Sequence, residues 1–314
     1  MRVVLPGGSG QTGTMLARFF HARGDEVTVL SRRPATGLPW RVVGWDGCTV
    51  GPWTEALEGA DAVIHLSGRT VNTRYTAAHR REILESRTVP TALLGEVMAA
   101  ATRPPRVWLN ASTATIYRHA LDRAQDERTG EHGGSEPGVP ASWGFSVAVG
   151  EAWERAMFAP VLPATRRVAM RISMVMSPDA GGVFQVLSGL VRKGLGGTQG
   201  PGDQRVAWMH DVDFCRACAY LIERTEIEGP VNLCSPEPLR NREFMRELRR
   251  AWGVRLGLPA PRPALAIGAM VMRTETELIL KSRYVVPTRL LESGFTFDYP
   301  RWDAAAEDLV ARSR

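Results

Sequence analysis

Lysine is nearly missing from this 314-residue chain: Lys193 and Lys281 are the only two among 39 basic residues. The net charge of +6 is therefore carried by arginine. An arginine-for-lysine bias of this kind reads as genome composition rather than as a nucleic-acid surface. No basic run is interleaved with aromatics as such a surface requires, so no nucleic-acid partner is expected. Cysteine is also scarce. Cys48, Cys215, Cys218 and Cys234 are too few for a disulfide framework at this length. Cys215 and Cys218 form a CxxC inside Asp211 to Ile222, a segment that reads as a helix. Spacing of three puts both on one buried face, and no second ligand pair accompanies them, so packing is favoured over metal or redox chemistry and no metal is expected. Long apolar runs are absent too. The longest near the C-terminus, Ala264 to Met272, is too short to span a bilayer, so no membrane association is expected. A strand starts at Arg2, which leaves no space for a signal peptide, and a cytoplasmic protein is expected.

What the chain does have is a large core and a glycine-rich start. Hydrophobic residues make up 44% and charged residues 23%, the balance of a globular protein able to bury a sizeable interior. The strand Arg2 to Leu5 runs into Gly7-Gly8-Ser9-Gly10-Gln11-Thr12-Gly13, and an amphipathic helix follows with Met15, Leu16, Phe19 and Phe20 on one side. Gly7 suits the tight turn out of the strand. Gly10 lets backbone N–H groups approach a pyrophosphate, and Gly13 lets the helix pack close to the sheet. The first turn of the helix adds unpaired donors and a partial positive charge. Glycine triplets are common in turns, but this one lies between strand and helix, where dinucleotide binding requires it. Gly7, Ser9, Gly10, Gln11, Thr12 and Gly13 are the expected contacts.

Further strands are expected at Glu26 to Leu30, Arg41 to Trp45, Asp61 to Leu66, Arg106 to Asn110 and Arg167 to Ile172. A helix broken or kinked near Pro90 is expected over Ala77 to Ala101, and another over Ser146 to Phe158. Strands alternating with helices at this spacing give an α/β fold with a parallel, doubly wound sheet. The polar stretch Arg118 to Ala141 reads as a mobile loop over the site. After Ser173 the alternation becomes irregular, with helices expected near 212–225, 241–252, 264–281 and 302–312. The division is residues 1–172 as the nucleotide-binding core and 173–314 as a smaller, mainly helical substrate-side region.

The glycine spacing, His65-Leu-Ser-Gly68 after the fourth strand, and Ser112-Thr113 followed by Tyr117 resemble the extended short-chain dehydrogenase/reductase superfamily. Within it, Trp45-Asp-Gly47, Gly51-Pro-Trp53, Ser86-Arg87, Trp153-Glu154, Gly194-Leu-Gly-Gly197, Trp208 to Asp213 and Pro287 to Phe297 are similar to the atypical branch named epimerase family proteins, or sugar-nucleotide epimerase-like proteins. The resemblance implies a Rossmann-type fold that binds NAD(P), with a family-specific segment at about 255–310. It leaves the substrate open, a nucleotide-sugar or a small carbonyl compound. For a nucleotide-sugar, contacts are expected from Gln204, Arg205 and the 194–202 loop. Oligomeric state is not legible, and a homodimer is one expectation.

An NAD-specific site usually ends its second strand on a carboxylate that holds the ribose hydroxyls. Here Ser31-Arg32-Arg33 stands in that place. Guanidinium groups can grip a 2′-phosphate and stack on adenine, so NADP is the expected cofactor. Leu66, Ser67 and Gly68 are expected along the cofactor's middle. Arg87 either touches phosphate or braces the loop. The superfamily's chemistry uses a Ser or Thr on strand five and a Tyr followed four residues later by Lys. Thr113 matches the first. The positions implied for the pair hold Trp143 and Val147, and none of Tyr75, Tyr117, Tyr220, Tyr284 and Tyr299 has a lysine four residues on. Thr113 and Tyr117 are the catalytic candidates, with His210 as another acid/base or a helix-start hydrogen bond. Three readings remain: a reductase or epimerase with altered residues, a non-catalytic NADP(H) sensor (some relatives carry a cell-division-inhibitor label), or an interaction scaffold.

Overall fold

A computed structural model describes residues 1–261, 263, 265 and 275–314. Seven parallel strands form its main sheet: β1 (Arg2–Pro6), β2 (Glu26–Ser31), β3 (Arg41–Gly44), β4 (Ala62–His65), β5 (Val107–Thr113), β6 (Arg166–Ile172) and, after three short strands, β10 (Gly229–Leu233). Their spatial order is β10-β6-β5-β4-β1-β2-β3. The order reverses between β1 and β4, and in such sheets the ligand crevice opens at that point, outside the carboxyl ends of the strands. The central strands are short apolar runs because helices cover both faces. On one face α1 (Gln11–Ala22) supplies Leu16 and Phe20, and α5 (Asp211–Glu223) supplies Phe214 and Leu221. On the other, α2 (Ala77–Ala100) supplies Leu93, Leu94 and Met98, and α3 (Gly144–Phe158) supplies Met157.

The remaining short strands, β7 (Met174–Met176), β8 (Arg205–Val206), β9 (Trp208–His210) and β11 (Leu239–Arg240), form two small ladders beside the main sheet. They accompany α4 (Val183–Arg192), α6 (Asn241–Trp252) and the helix Trp302–Ala311. A separate apolar cluster holds these together, with Phe244 stacked on Trp302 at a centroid distance of 4.0 Å. The chain thus leaves the sheet at Ile172 and returns to it at Gly229, so the last strand comes from beyond residue 172.

Several expectations are corrected. Helix α2 is not broken at Pro90: it runs on through that residue, which is buried beside the Gly47 turn. Only one intrahelical bond is lost there, and packing compensates for it. The stretch after Tyr117 is tied down instead of free. Gln125 is fully buried, its N–H donates to the Tyr284 carbonyl at 2.7 Å, and its carbonyl accepts from Val286. Cys215 and Cys218 are buried free thiols, Cys218 against Met170, and burial raises the pKa of both. The run Ala264 to Met272 lies, Leu265 apart, outside the described residues. So does most of the helix expected over 264–281, of which one turn, Glu277–Leu280, is described. Among the described residues no helix is long and apolar enough to cross a membrane.

Candidate active site

The turn between β1 and α1 is built by glycines with different tasks. Gly7 has φ +75°, a conformation that side chains disfavour, and its N–H donates to the Leu30 carbonyl at 2.9 Å. A Cβ on Gly7 would stand 2.5 Å from the Ser67 Oγ, so the β1 and β4 loops touch and form one floor. Gly13 is pressed on Gly8. Gly10 is different: it caps α1 without any side-chain hydrogen bond, and a Cβ there would meet nothing within 4 Å. The start of α1 thus has no side-chain cap and open space beside Gly10, which suits the approach of a pyrophosphate to the first-turn N–H groups. Ser9 is exposed on this turn, while the Gln11 amide is turned onto the Asp179 carbonyl at 2.8 Å.

At the end of β2, the Arg33 N–H donates to Ser31 Oγ at 3.2 Å, which fixes the turn. Both Arg32 and Arg33 are exposed there. Charged forks on a fixed turn beside the sheet's switch point suit a ribose phosphate.

A cleft of about 430 Å³ opens where the crevice rule puts it. Thr12 of α1, Leu66 after β4, Thr113 at the end of β5 and Ser173 after β6 line one side. Tyr75, Arg87, Ser146 and Leu278 line the other. A larger hollow of about 750 Å³, lined by Arg106, Arg166, Arg167 and Gly229, lies at the opposite, amino ends of β5, β6 and β10. The glycine turn is not part of it.

The sequence candidates divide accordingly. Thr113 lines the cleft, and its Oγ1 accepts the Thr115 N–H at 3.1 Å. Its hydroxyl hydrogen is left to donate. Arg87 braces the loop: it donates to the Arg69 carbonyl at 3.0 Å and the Ile83 carbonyl at 2.8 Å, and lies 5.1 Å over the Trp153 ring. Burial lowers its pKa to about 10. Gly68 runs against this guanidinium.

Tyr117 is a correction. It is 1% exposed, donates to Asn232 Oδ1 at 2.9 Å and accepts from Arg171 at 2.8 Å, away from the cleft-lining residues. Burial pushes its phenol up to about 12. A 3₁₀ turn over Ala114–Ile116 carries the chain past the cleft before Tyr117 is reached. His210 caps α5, accepting the Val212 N–H at 3.2 Å, and stacks on Tyr299, the structural role. Gln204 is buried and donates to the Gln199 carbonyl, Arg205 lies over Tyr284, and none of the cleft-lining residues belongs to 194–205.

Reading the sequence missed a polar cluster behind the cleft wall. Ser146, in the first turn of α3, donates to Glu277 Oε2 at 2.7 Å. Lys281 Nζ is 3.8 Å from Glu277 Oε1 and donates to the Thr115 carbonyl at 2.8 Å. Arg283 donates to Thr115 Oγ1 at 3.1 Å. Burial raises the Glu277 carboxyl and lowers the Lys281 ammonium to about 8. Tyr75 lies against Phe145 at a centroid distance of 5.1 Å, and burial raises its phenol. The one signal of this cluster in the sequence was a lysine in a chain that uses arginine almost everywhere else.

Comparison with known proteins agrees with this fold. Residues 3–234 match the NAD dependent epimerase/dehydratase family, and residues 260–309 match a domain of unknown function. The chain is 33% identical to the Bos taurus epimerase family protein SDR39U1 over 99% of this chain and 100% of that one. The structure of human epimerase family protein SDR39U1 (isoform 2) with NADPH superposes with a TM-score of 0.86 at 28% identity, covering 99% of each chain. A nucleoside-diphosphate sugar epimerase from Corynebacterium glutamicum gives 0.75 at 27% identity, over 98% of this chain and 58% of that one. The chain belongs to the NAD dependent epimerase/dehydratase family, as an atypical extended short-chain dehydrogenase/reductase of the epimerase-family-protein branch.

Proposed function

We propose that the chain binds NADP(H) and performs reductase-like or epimerase-like chemistry on a carbonyl or alcohol held in the 430 Å³ cleft. The observation that carries the reading is Gly10: it starts α1 with no side-chain cap, and a Cβ there would meet no atom within 4 Å. The first turn of α1 would hold the pyrophosphate. Arg32 and Arg33 would take the 2′-phosphate, and Leu66, Ser67 and Gly68 would flank the cofactor's middle. The NADPH in the human relative's structure supports the choice of phosphate form. A bound nicotinamide supplies hydride exchange with a carbon of the substrate. Thr113 would orient the substrate oxygen through its free hydroxyl hydrogen. A small carbonyl compound and a nucleotide-sugar are both candidate substrates, the second supported by the sugar-epimerase relative.

A second reading keeps the cofactor and drops the turnover. It is favoured by Trp143 and Val147, both buried, in the positions where the superfamily carries its Tyr and Lys. In that case the chain is an NADP(H)-binding sensor or regulator. Calorimetry with NADPH and NADH, followed by a panel of ketones, aldehydes and nucleotide-sugars read at the nicotinamide absorbance, separates the readings. Turnover supports an enzyme. NADPH binding with no turnover across the panel supports a sensor. Absence of dinucleotide binding rejects both.

A further inference from the structure

The geometry points to Ser146 and Glu277 as a proton relay of the cleft: Ser146 exchanges a hydrogen with the substrate oxygen, and Glu277 behind it stores the proton. The inference rests on the NADP(H) reading above and gives the C-terminal segment a chemical task. Residues 275–283 fall in the matched domain of unknown function, yet Leu278 lines the cleft wall and Glu277 reaches Ser146 through it. The superfamily's acid/base positions on this stretch hold Trp143 and Val147, neither of which can transfer a proton. Ser146, one residue before Val147, brings a hydroxyl into the cleft instead.

Glu277 has the properties of a proton store. It is 2% exposed, and its Oε1 is buried with no partner closer than the Lys281 ammonium at 3.8 Å. An incompletely satisfied buried carboxyl is costly, and such groups recur where function requires them. The charged and titratable groups facing it are Arg283, Lys281, Glu275 and Tyr75, with Glu136 beyond Lys281. Burial moves both Glu277 and Lys281 toward neutrality, which makes a proton easier to trade at ordinary pH. Tyr75 also lines the cleft: its phenol is hydrogen-bonded to Ser146, its ring lies against Phe145, and its backbone N–H donates to Glu275, so it stands at the cleft end of the same chain of polar groups.

The relay balances in both directions. In oxidation, the substrate O–H gives its proton to Ser146 Oγ while Ser146 gives its own to the Glu277 carboxylate. The carbinol carbon loses a hydride to the oxidised nicotinamide, and the C–O bond becomes a carbonyl. The Ser146-to-Glu277 hydrogen bond seen here is the starting state for that direction. In reduction the carbonyl carbon gains a hydride from the reduced nicotinamide, and its oxygen takes the Ser146 hydrogen. The protonated Glu277 carboxyl restores the serine. The carboxylate left behind faces Lys281 and Arg283.

Infrared spectroscopy of the full chain, titrated with pH in the presence of NADP⁺ or NADPH, tests this. A protonated-carboxyl band should persist above the ordinary glutamate range and be lost in Glu277→Gln. Its frequency should move in Ser146→Ala and be restored in Ser146→Thr, which keeps the hydroxyl. Both cofactor forms carry the same phosphates, so their difference isolates the positive nicotinamide ring. NADP⁺ should lower the band's midpoint by about one pH unit relative to NADPH, the effect of a unit charge ~10 Å away at an effective dielectric constant of ~20. A Glu277 ionised throughout, or a midpoint indifferent to the oxidation state of bound cofactor, overturns the relay alone. If calorimetry shows that neither cofactor binds, the NADP(H) reading falls and the relay with it.

Discussion

Gly13 sits so close to Gly8 that a Cβ on it would lie 2.4 Å from the Gly8 Cα, whereas a Cβ on Gly10 would touch nothing within 4 Å. Two glycines of one repeat thus answer to different constraints. The protein's own backbone dictates Gly13. Gly10 is free in the protein alone, and only a ligand at the helix start would require it.

Gly13→Ala should therefore destabilise the fold by about 1–3 kcal/mol, because backbone must move to admit the methyl. Gly10→Val should leave the melting temperature nearly unchanged and abolish NADPH binding. Thermal unfolding and calorimetry on the two variants check this pair of outcomes. Unchanged NADPH affinity in a folded Gly10→Val protein would refute the site.

Arg32 and Arg33 are exposed on a fixed turn at the end of β2. They should favour NADPH over NADH by at least about tenfold, and high salt should narrow the gap because exposed phosphate–guanidinium pairs are screened. Replacing both with alanine should weaken NADPH binding and leave NADH nearly unaffected. Equal affinities of the unaltered protein at low salt would mean that the two are solvated loop charges.

Tyr117 and Thr113 should behave oppositely. Tyr117→Phe removes one buried hydrogen bond from Arg171, which keeps Glu154, and one from Asn232 Oδ1, so it should lower unfolding stability by about 1–3 kcal/mol with no selective loss of turnover. Thr113→Val should keep NADPH affinity and reduce turnover much more. Denaturant unfolding and steady-state kinetics read the two effects. Full turnover in the Thr113 variant would remove that residue from the mechanism.

His65 provides a pH test of the core. It is fully buried, its Nδ1 lies 2.6 Å from Asn110 Oδ1, and burial lowers its pKa from 6.5 to about 4. Between those values the unfolded chain holds the extra proton, so this residue makes stability rise as pH climbs from about 4 to 6.5 and adds no slope above that. The full gain is about 3 kcal/mol. Urea unfolding across this window should show a smaller rise in His65→Asn, whose amide can keep the bond to Asn110. An identical rise in the variant would assign the slope to other groups.

The sequence by itself determined the parallel sheet, the glycine turn and the arginines at the end of β2, because each is a local pattern. Apolar runs of strand length, glycines three apart and charges at a strand's end act within a few residues of where they are written. Pro90 and Tyr117 show where local reading ends. Pro90 stays inside a continuous helix because burial beside the Gly47 turn outweighs one missing hydrogen bond. Tyr117 follows β5 and Thr113 closely in sequence, yet one 3₁₀ turn places it in a buried bond with Asn232, 115 residues away. Only the tertiary structure decided that Ser146 meets Glu277, across 131 residues of chain. No local pattern can encode such a pair, because its two ends are brought together by the packing of the C-terminal segment against α3 and by nothing in the residues next to either one.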